Sequence, residues 1–256
     1  MAGVRLQDLD KVYSLNGREI KALNGINLEI AAQSFVTIVG QSGCGKTTLL
    51  RILSGLEEKT AGAMIFSDPP GAQVRTGIVF QEPRLMPWLT VQQNMVFSLR
   101  GCTKEIIAKQ ANKYLNLLGL KGFQDAYPRQ ISGGMAQRAA LGRTLCFEPR
   151  LILMDEPLSA LDAFTRRKLQ QEILDIYLLE KQTIVFVTHD VDEAVYLGQK
   201  VVVMAKGKVV DEISVNLPYP RDPYSRDYAR LKEKILDAIL KKEAGTRQNG
   251  SQGGKK

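Results

Sequence analysis

No stretch constrains this chain more than Phe35 to Leu50, FVTIVGQSGCGKTTLL. Apolar and β-branched residues from Phe35 to Val39 stop at Gly40, and a helical pattern resumes after Gly45, so the order is buried strand, glycine-rich turn, helix. The spacing Gly40…Gly45-Lys46-Thr47 fits the phosphate-binding loop G-x-x-x-x-G-K-[ST] in the strand-to-helix setting it needs. Its physics is local. Glycines reach positive φ and let successive backbone amides converge on phosphate oxygens. A helix starting near Gly45 aims the positive end of its dipole at the same anion. Lys46 adds a charge for β and γ phosphates, and Thr47 a hydroxyl for Mg²⁺. The bland alternative is an ordinary turn with an incidental lysine, so the remaining residues have to decide.

At 256 residues, with 44% hydrophobic and 24% charged residues, the chain has the composition of a globular protein with a sizeable core. No apolar run approaches the roughly 18 residues of a membrane span, and the N-terminus lacks the apolar segment of a secretory signal. Three scattered cysteines, Cys44, Cys102 and Cys146, suit a reducing compartment. The net charge of +8 is concentrated late: from Arg226 onward nine basic residues face four acids. Such a segment can graze anionic lipid or nucleic acid, and the expectation is a solvated helix face and a loose tail.

Ahead of the loop, short apolar stretches with Asn-Gly at 16–17 and 24–25 predict antiparallel strands joined by hairpin turns. Tyr13 on the first strand either stacks on a nucleotide base or packs on its neighbours. Strand character returns over 62–81 around the turn Ser67-Asp68-Pro69-Pro70-Gly71 and delivers Gln81 at its end. A proline-broken loop, Glu82 to Trp88, leads into helices up to about Cys146. One of these begins after Ser132-Gly133-Gly134, with Ser132 as its N-cap and a second anion-binding helix end.

Leu151 to Glu156 (LILMDE) reads as a buried strand ending in two carboxylates. Ligands of open α/β sheets gather at strand C-terminal ends, so the acidic pair is expected to meet the phosphate loop there. Asp155 suits an Mg²⁺ ligand and Glu156 the group that polarises an attacking water. His189, the sole histidine, follows another buried strand at 184–187, where it is placed to reach a γ-phosphate or a water. A hairpin with its turn at Lys206-Gly207 and an amphipathic helix carrying Leu231, Ile235 and Ile239 complete the ordered part.

Taken in order, Tyr13, GQSGCGKTT (Gly40 to Thr48), Gln81, ISGGMAQR, LILMDE, SALD (Ser159 to Asp162) and His189 make the chain resemble the ATP-binding cassette ATPases over nearly its whole length. The resemblance implies an α/β fold: a P-loop NTPase (RecA-like) core, an antiparallel β subdomain and an inserted helical subdomain at about 83–148. The ATPase domain then spans 1–243, with a C-terminal helix at about 222–243 and a disordered tail at 244–256. It implies ATP and Mg²⁺ as ligands and assigns Tyr13 to adenine stacking. Gly40, Gln41, Ser42, Gly43, Cys44, Gly45, Lys46, Thr47 and Thr48 are assigned to the phosphates. Thr47, Gln81 and Asp155 go to the metal, and Lys46, Gln81, Glu156 and His189 to catalysis. Two cassettes, two copies or a copy and a paralogue, are expected to dimerise head to tail, with Ser132, Gly133 and Gly134 of one closing the ATP site of the other and Asp162 at the interface. The usual LSGGQ reads ISGGM here, so Met135 removes a hydrogen-bonding side chain from the signature.

A narrower resemblance, carried by FQEPRLMPWLTVQQNM, SGGMAQRAALGRTL and DPYSRDYARLKEKIL, is to the ATPase subunits of bacterial importers for nitrate, taurine and aliphatic sulfonates. It implies a peripheral protein at the cytoplasmic face of the membrane, coupled to permease subunits and a solute-binding protein, and no nucleic-acid partner. Glu82 to Trp88 and the following helical subdomain then receive a permease helix, with Trp88 lining that groove or packed beneath it. An exporter motor and a soluble cassette ATPase are the competing readings.

Overall fold

The computed structural model describes residues 2–67 and 74–247. Two sequence expectations reach beyond them: the turn at 68–71 and most of the C-terminal tail. The chain divides into two compact units.

The first unit comprises the extreme N-terminus, Ala31–Ser34 and Ser67–Val185. Strands β5 (Thr76–Val79), β6 (Leu151–Asp155) and β7 (Thr183–Val187, its last two residues in the second unit) follow one another in that order. β5 and β6 are parallel, with Thr76 opposite Leu151 and Val79 opposite Met154. Leu151 to Met154 and all of β7 are buried, as continuous apolar runs must be when both faces are covered. β5 ends two residues short of Gln81, which sits in the loop beyond.

The helices of this unit are α2 (Val91–Met95), α3 (Lys104–Leu117), α4 (Gly133–Cys146) and α5 (Ala163–Glu180). Each starts on a capping side chain: Thr90, in a capping box with Gln93, then Thr103, Ser132 and Asp162. α4 is central. It approaches α2 so closely that a Cβ at Gly142 would lie 2.5 Å from the Met95 methyl. The Arg138–Glu172 ion pair at 2.6 Å ties it to α5, and the Thr144 hydroxyl donates to the Ile78 carbonyl of β5 at 3.1 Å.

The second unit holds Val4–Ile30, Phe35–Phe66 and everything from Phe186 onward. β1 (Val4–Leu15), β2 (Arg18–Ile30) and β4 (Ala61–Phe66) form an antiparallel sheet in the order β2-β1-β4. Asn16 and Gly17, at φ 50° and 76°, make the expected hairpin turn, both central residues left-handed. Asn24-Gly25 does not turn the chain. β2 runs straight through it, because Leu23 and Ile26 on either side are both fully buried, and the extra residue is taken up as a bulge at positive φ. The Gly25 amide donates to the Asp10 carboxylate at 2.6 Å, and that bond is the main cause lowering the Asp10 pKa.

β3 (Phe35–Val39) pairs in parallel with β8 (Lys200–Ala205), and β8 turns at Lys206-Gly207 into antiparallel β9 (Lys208–Ser214). Helices α1 (Lys46–Leu53), α6 (Val191–Leu197) and α7 (Arg226–Arg247) complete the unit. α6, which the sequence reading missed, starts on Asp190 as N-cap. α7 extends four residues past the expected end at 243, and its Ile235 is fully buried among Val195, Val203, Ile213 and Tyr228.

Candidate functional site

The predicted residues fall into both units, and each group has its own geometry. In the second unit the phosphate loop leaves β3 at Gly40 and enters α1 at Lys46. Two of its glycines are required by contact as well as by backbone angle. A Cβ at Gly40 would lie 2.2 Å from the Met204 carbonyl oxygen, and one at Gly45, where φ is 106°, 2.6 Å from the Ala22 carbonyl oxygen. The Lys46 side chain is buried, and its Nζ donates to the Gly40 and Gln41 carbonyls at 2.7 and 3.0 Å. It therefore lies across the loop from the first turn of the helix. α1 has no side-chain cap and no acid in its first turn, which leaves its positive end to an anion.

The loop is braced from outside by residues that sequence reasoning passed over. The Gly207 amide donates to the Cys44 carbonyl at 3.0 Å, and the Asn24 amide to the Gly207 carbonyl at 2.8 Å. The β8–β9 turn is thus wedged between loop and β2, and a Cβ at Gly207 would meet the Ala22 carbonyl oxygen at 2.7 Å. Lys206-Gly207 carried only a turn signal. A cavity beside the loop is lined by Gln41 to Cys44, Met204, Lys206 and Ile239 of α7. Burial raises the pKa of the Cys44 thiol against the pull of Lys46.

Tyr13 is half-buried on β1, with the Lys11 ammonium 4.9 Å from its ring centroid. Burial and a bond to Glu57 push its hydroxyl pKa up, while Thr48 of α1 bonds the same hydroxyl and opposes the shift. The ring stands beside the first turn of α1. His189 is exposed just past β7, and the residue before it, Thr188, donates its amide to the Ile38 carbonyl of β3 at 3.1 Å.

In the first unit the Ser132 hydroxyl oxygen accepts from the Met135 amide at 3.3 Å, a bond that does not use its O–H donor. Gly133 has open space around it, whereas a Cβ at Gly134 would lie 2.3 Å from a Thr165 methyl of α5. Gln81 is exposed, and the chain just before it is fixed where the Gln137 amide of α4 donates to the Phe80 carbonyl at 3.0 Å. Arg143 holds the Pro83 and Arg84 carbonyls at 3.0 and 2.8 Å, and buried Asn94 bonds Met86, Leu89 and Thr90. The proline-broken loop is therefore shaped by α2 and α4. Trp88 within it is 71% exposed, not packed beneath.

Asp155 closes β6, and Glu156 follows with φ 44°, a left-handed angle that a glutamate adopts only at a cost. The Glu156 carbonyl accepts from both the Ser159 amide at 3.2 Å and its hydroxyl at 2.9 Å, which holds that turn. Asp162 caps α5, accepting from the Phe164 and Thr165 amides at 3.1 Å, and the Thr165 bond is the main cause lowering its pKa.

The profile of the family described as ABC transporter matches residues 23–159. An uncharacterized ABC transporter ATP-binding protein of Methanocaldococcus jannaschii is 46% identical over 248 residues, covering 94% of this chain and 92% of its own. An aliphatic sulfonates import ATP-binding protein of Bacillus cereus is 40% identical over 240 residues, covering 91% and 94%. Among solved structures, a dimeric ATP-binding cassette in a post-hydrolysis state with ADP and Pi superposes at a TM-score of 0.74 with 32% identity, covering 84% of this chain and all of that one.

Proposed function

The chain belongs to the ABC transporter family of ATP-binding proteins, and from that premise we propose that it is the motor subunit of an importer for a sulfonate, taurine, nitrate or similar small solute. It is an ATPase of the cassette type with a P-loop NTPase fold. The observation that carries the reading is the phosphate loop, with Lys46 bonded across it and α1 opening without a cap.

In this reading the amides and side chains from Gly40 to Thr48 hold the ATP phosphates, and the Tyr13 ring takes the adenine. Among the described residues no group of three or more His, Cys, Asp or Glu side chains is placed to hold a metal. Thr47, Gln81 and Asp155 each carry a hard oxygen donor, the kind that suits Mg²⁺. When bound, Mg²⁺ neutralises charge on the β and γ phosphates. Glu156 polarises the attacking water, Gln81 helps to orient it, and His189 contacts the γ-phosphate. Lys46 stabilises the charge that develops as the phosphoryl group leaves.

Two cassettes, either two copies or one copy and a paralogue, pair head to tail, so that Ser132, Gly133 and Gly134 of one complete the ATP site of the other. Support comes from the dimeric state of the related cassette and from the exposed start of α4. No helix among the described residues is long and apolar enough to cross a membrane. In this reading transport falls to separate permease subunits, fed by a solute-binding protein, with this chain peripheral at the cytoplasmic face. The exposed Trp88 loop is the surface offered to a permease helix.

Glu156→Gln tests the chemistry. ATP binding persists, turnover falls at least about a hundredfold, and a nucleotide-bound dimer accumulates on size-exclusion chromatography. Turnover at the parental rate would overturn the role of Glu156. For direction, the co-purified permease complex in vesicles is expected to hydrolyse ATP faster when binding protein and sulfonate are added on the external side; stimulation only from the cassette side would make it an exporter.

A further inference from the structure

We propose that Glu193 is a positioning residue for His189, fixing the turn that presents the imidazole; the proposal rests on the reading of His189 as a γ-phosphate contact. Glu193 lies in the first turn of α6 and is 4% exposed. A carboxylate taken out of water needs strong bonds in return. Here it accepts from the Thr188 hydroxyl at 2.5 Å. Thr188, 2% exposed, also accepts from the Asp190 amide at 3.0 Å and donates its own amide to Ile38 of β3. Asp190 in turn caps α6, accepting from the Asp192 and Glu193 amides at 2.7 and 3.4 Å.

The residues on either side of His189 are thus both held from the first turn of one helix, while the histidine between them faces solvent. A short helix is a soft support unless it is held elsewhere, and this one is. The Arg221 guanidinium, 5% exposed, donates to the Val195, Tyr196 and Gly198 carbonyls at its far end. The Tyr228 hydroxyl donates to the Asp192 carbonyl at 2.9 Å, and Lys232 pairs with the Asp192 carboxylate at 2.7 Å. With α6 fixed at both ends, the Glu193–Thr188 bond transmits its position to His189. Misplacement of a catalytic group by about 1 Å costs on the order of a hundredfold in rate.

The test is steady-state hydrolysis by the full chain. Glu193→Ala is expected to lower kcat about tenfold with KM for ATP within about twofold, and Glu193→Gln, which keeps an acceptor for Thr188, to recover most of it. In a His189→Ala background, Glu193→Ala should cost nothing further, because its effect runs through the imidazole. Losses that multiply, or a Gln variant as slow as the Ala variant, would reduce Glu193 to a structural residue and overturn the proposal. If Glu193→Ala does not fold, Thr188→Val removes the same bond from the other side and carries the same expectations. A slow His189→Ala with a parental Glu193→Ala sinks this proposal alone; a parental His189→Ala sinks the reading of His189 and this proposal with it.

Discussion

At the scale of single residues, environment separates groups of one chemical kind. The three cysteines show it. Cys102 is exposed, Cys146 is fully buried with its thiol pKa pushed up to about 12 by burial, and Cys44 is 5% exposed at the edge of the loop cavity. The thiolate is the reactive form. A disulfide-exchange reagent at pH 8 should therefore titrate Cys102 at once, Cys44 slowly, and Cys146 only in denaturant; fast release of three equivalents from the folded chain would contradict that order. What was legible here was whatever the chemistry demands locally. Gly40, Gly45 and Lys46 announce themselves by spacing, and Asp155 and Glu156 by ending a buried apolar run. Gly207, Glu193 and Arg221 gave no such signal. The partners of Gly207 and Arg221 are distant in the chain, Glu193 bonds across a turn whose shape no local pattern specifies, and a glycine, a glutamate or an arginine at those positions has many bland explanations.

Between elements, the same dipeptide took two outcomes. Asn16-Gly17 turns the chain and Asn24-Gly25 does not, because burial on both sides of the second outweighs its local preference. Helix α7 was legible from its periodicity, since the stripe Leu231, Ile235, Ile239 is the face that meets the core. Its two faces give a direct check. Ile235 is fully buried and Leu236 is 44% exposed. Ile235→Ala should cost about 2–5 kcal/mol in a denaturant titration, and Leu236→Ala less than about 0.5 kcal/mol. Equal losses would mean that the helix docks on a different face. α6 was not legible: seven residues are too few for a periodic pattern, and only Asp190 with its following acids marked its start.

For the whole molecule, the head-to-tail reading proposed above makes each ATP site a shared property, and mixing tests it. Lys46→Ala removes the loop cation, and Gly133→Asp sets a carboxylate at the start of α4, where the open surroundings accept a side chain. Each variant alone should be inactive, because both sites of its dimer carry the lesion. Mixed in equal amounts they form about half mixed pairs with one intact site each, so about a quarter of the parental rate should return. No recovery, despite pairing confirmed by size-exclusion chromatography, would mean that loop and signature do not meet across the dimer.

One contact has a consequence for how such a chain can vary. Gly134 has no room for a methyl because Thr165 of the next helix occupies that space. The two positions are therefore not independent letters. Alanine at 134 forces the Thr165 methyl to move, whereas a smaller residue at 165 removes the clash, so a path that changes 165 first is the less costly one. A combinatorial library that randomises both positions should recover their functional variants as linked pairs, and an engineer who edits the signature helix alone is already editing half of a two-residue word.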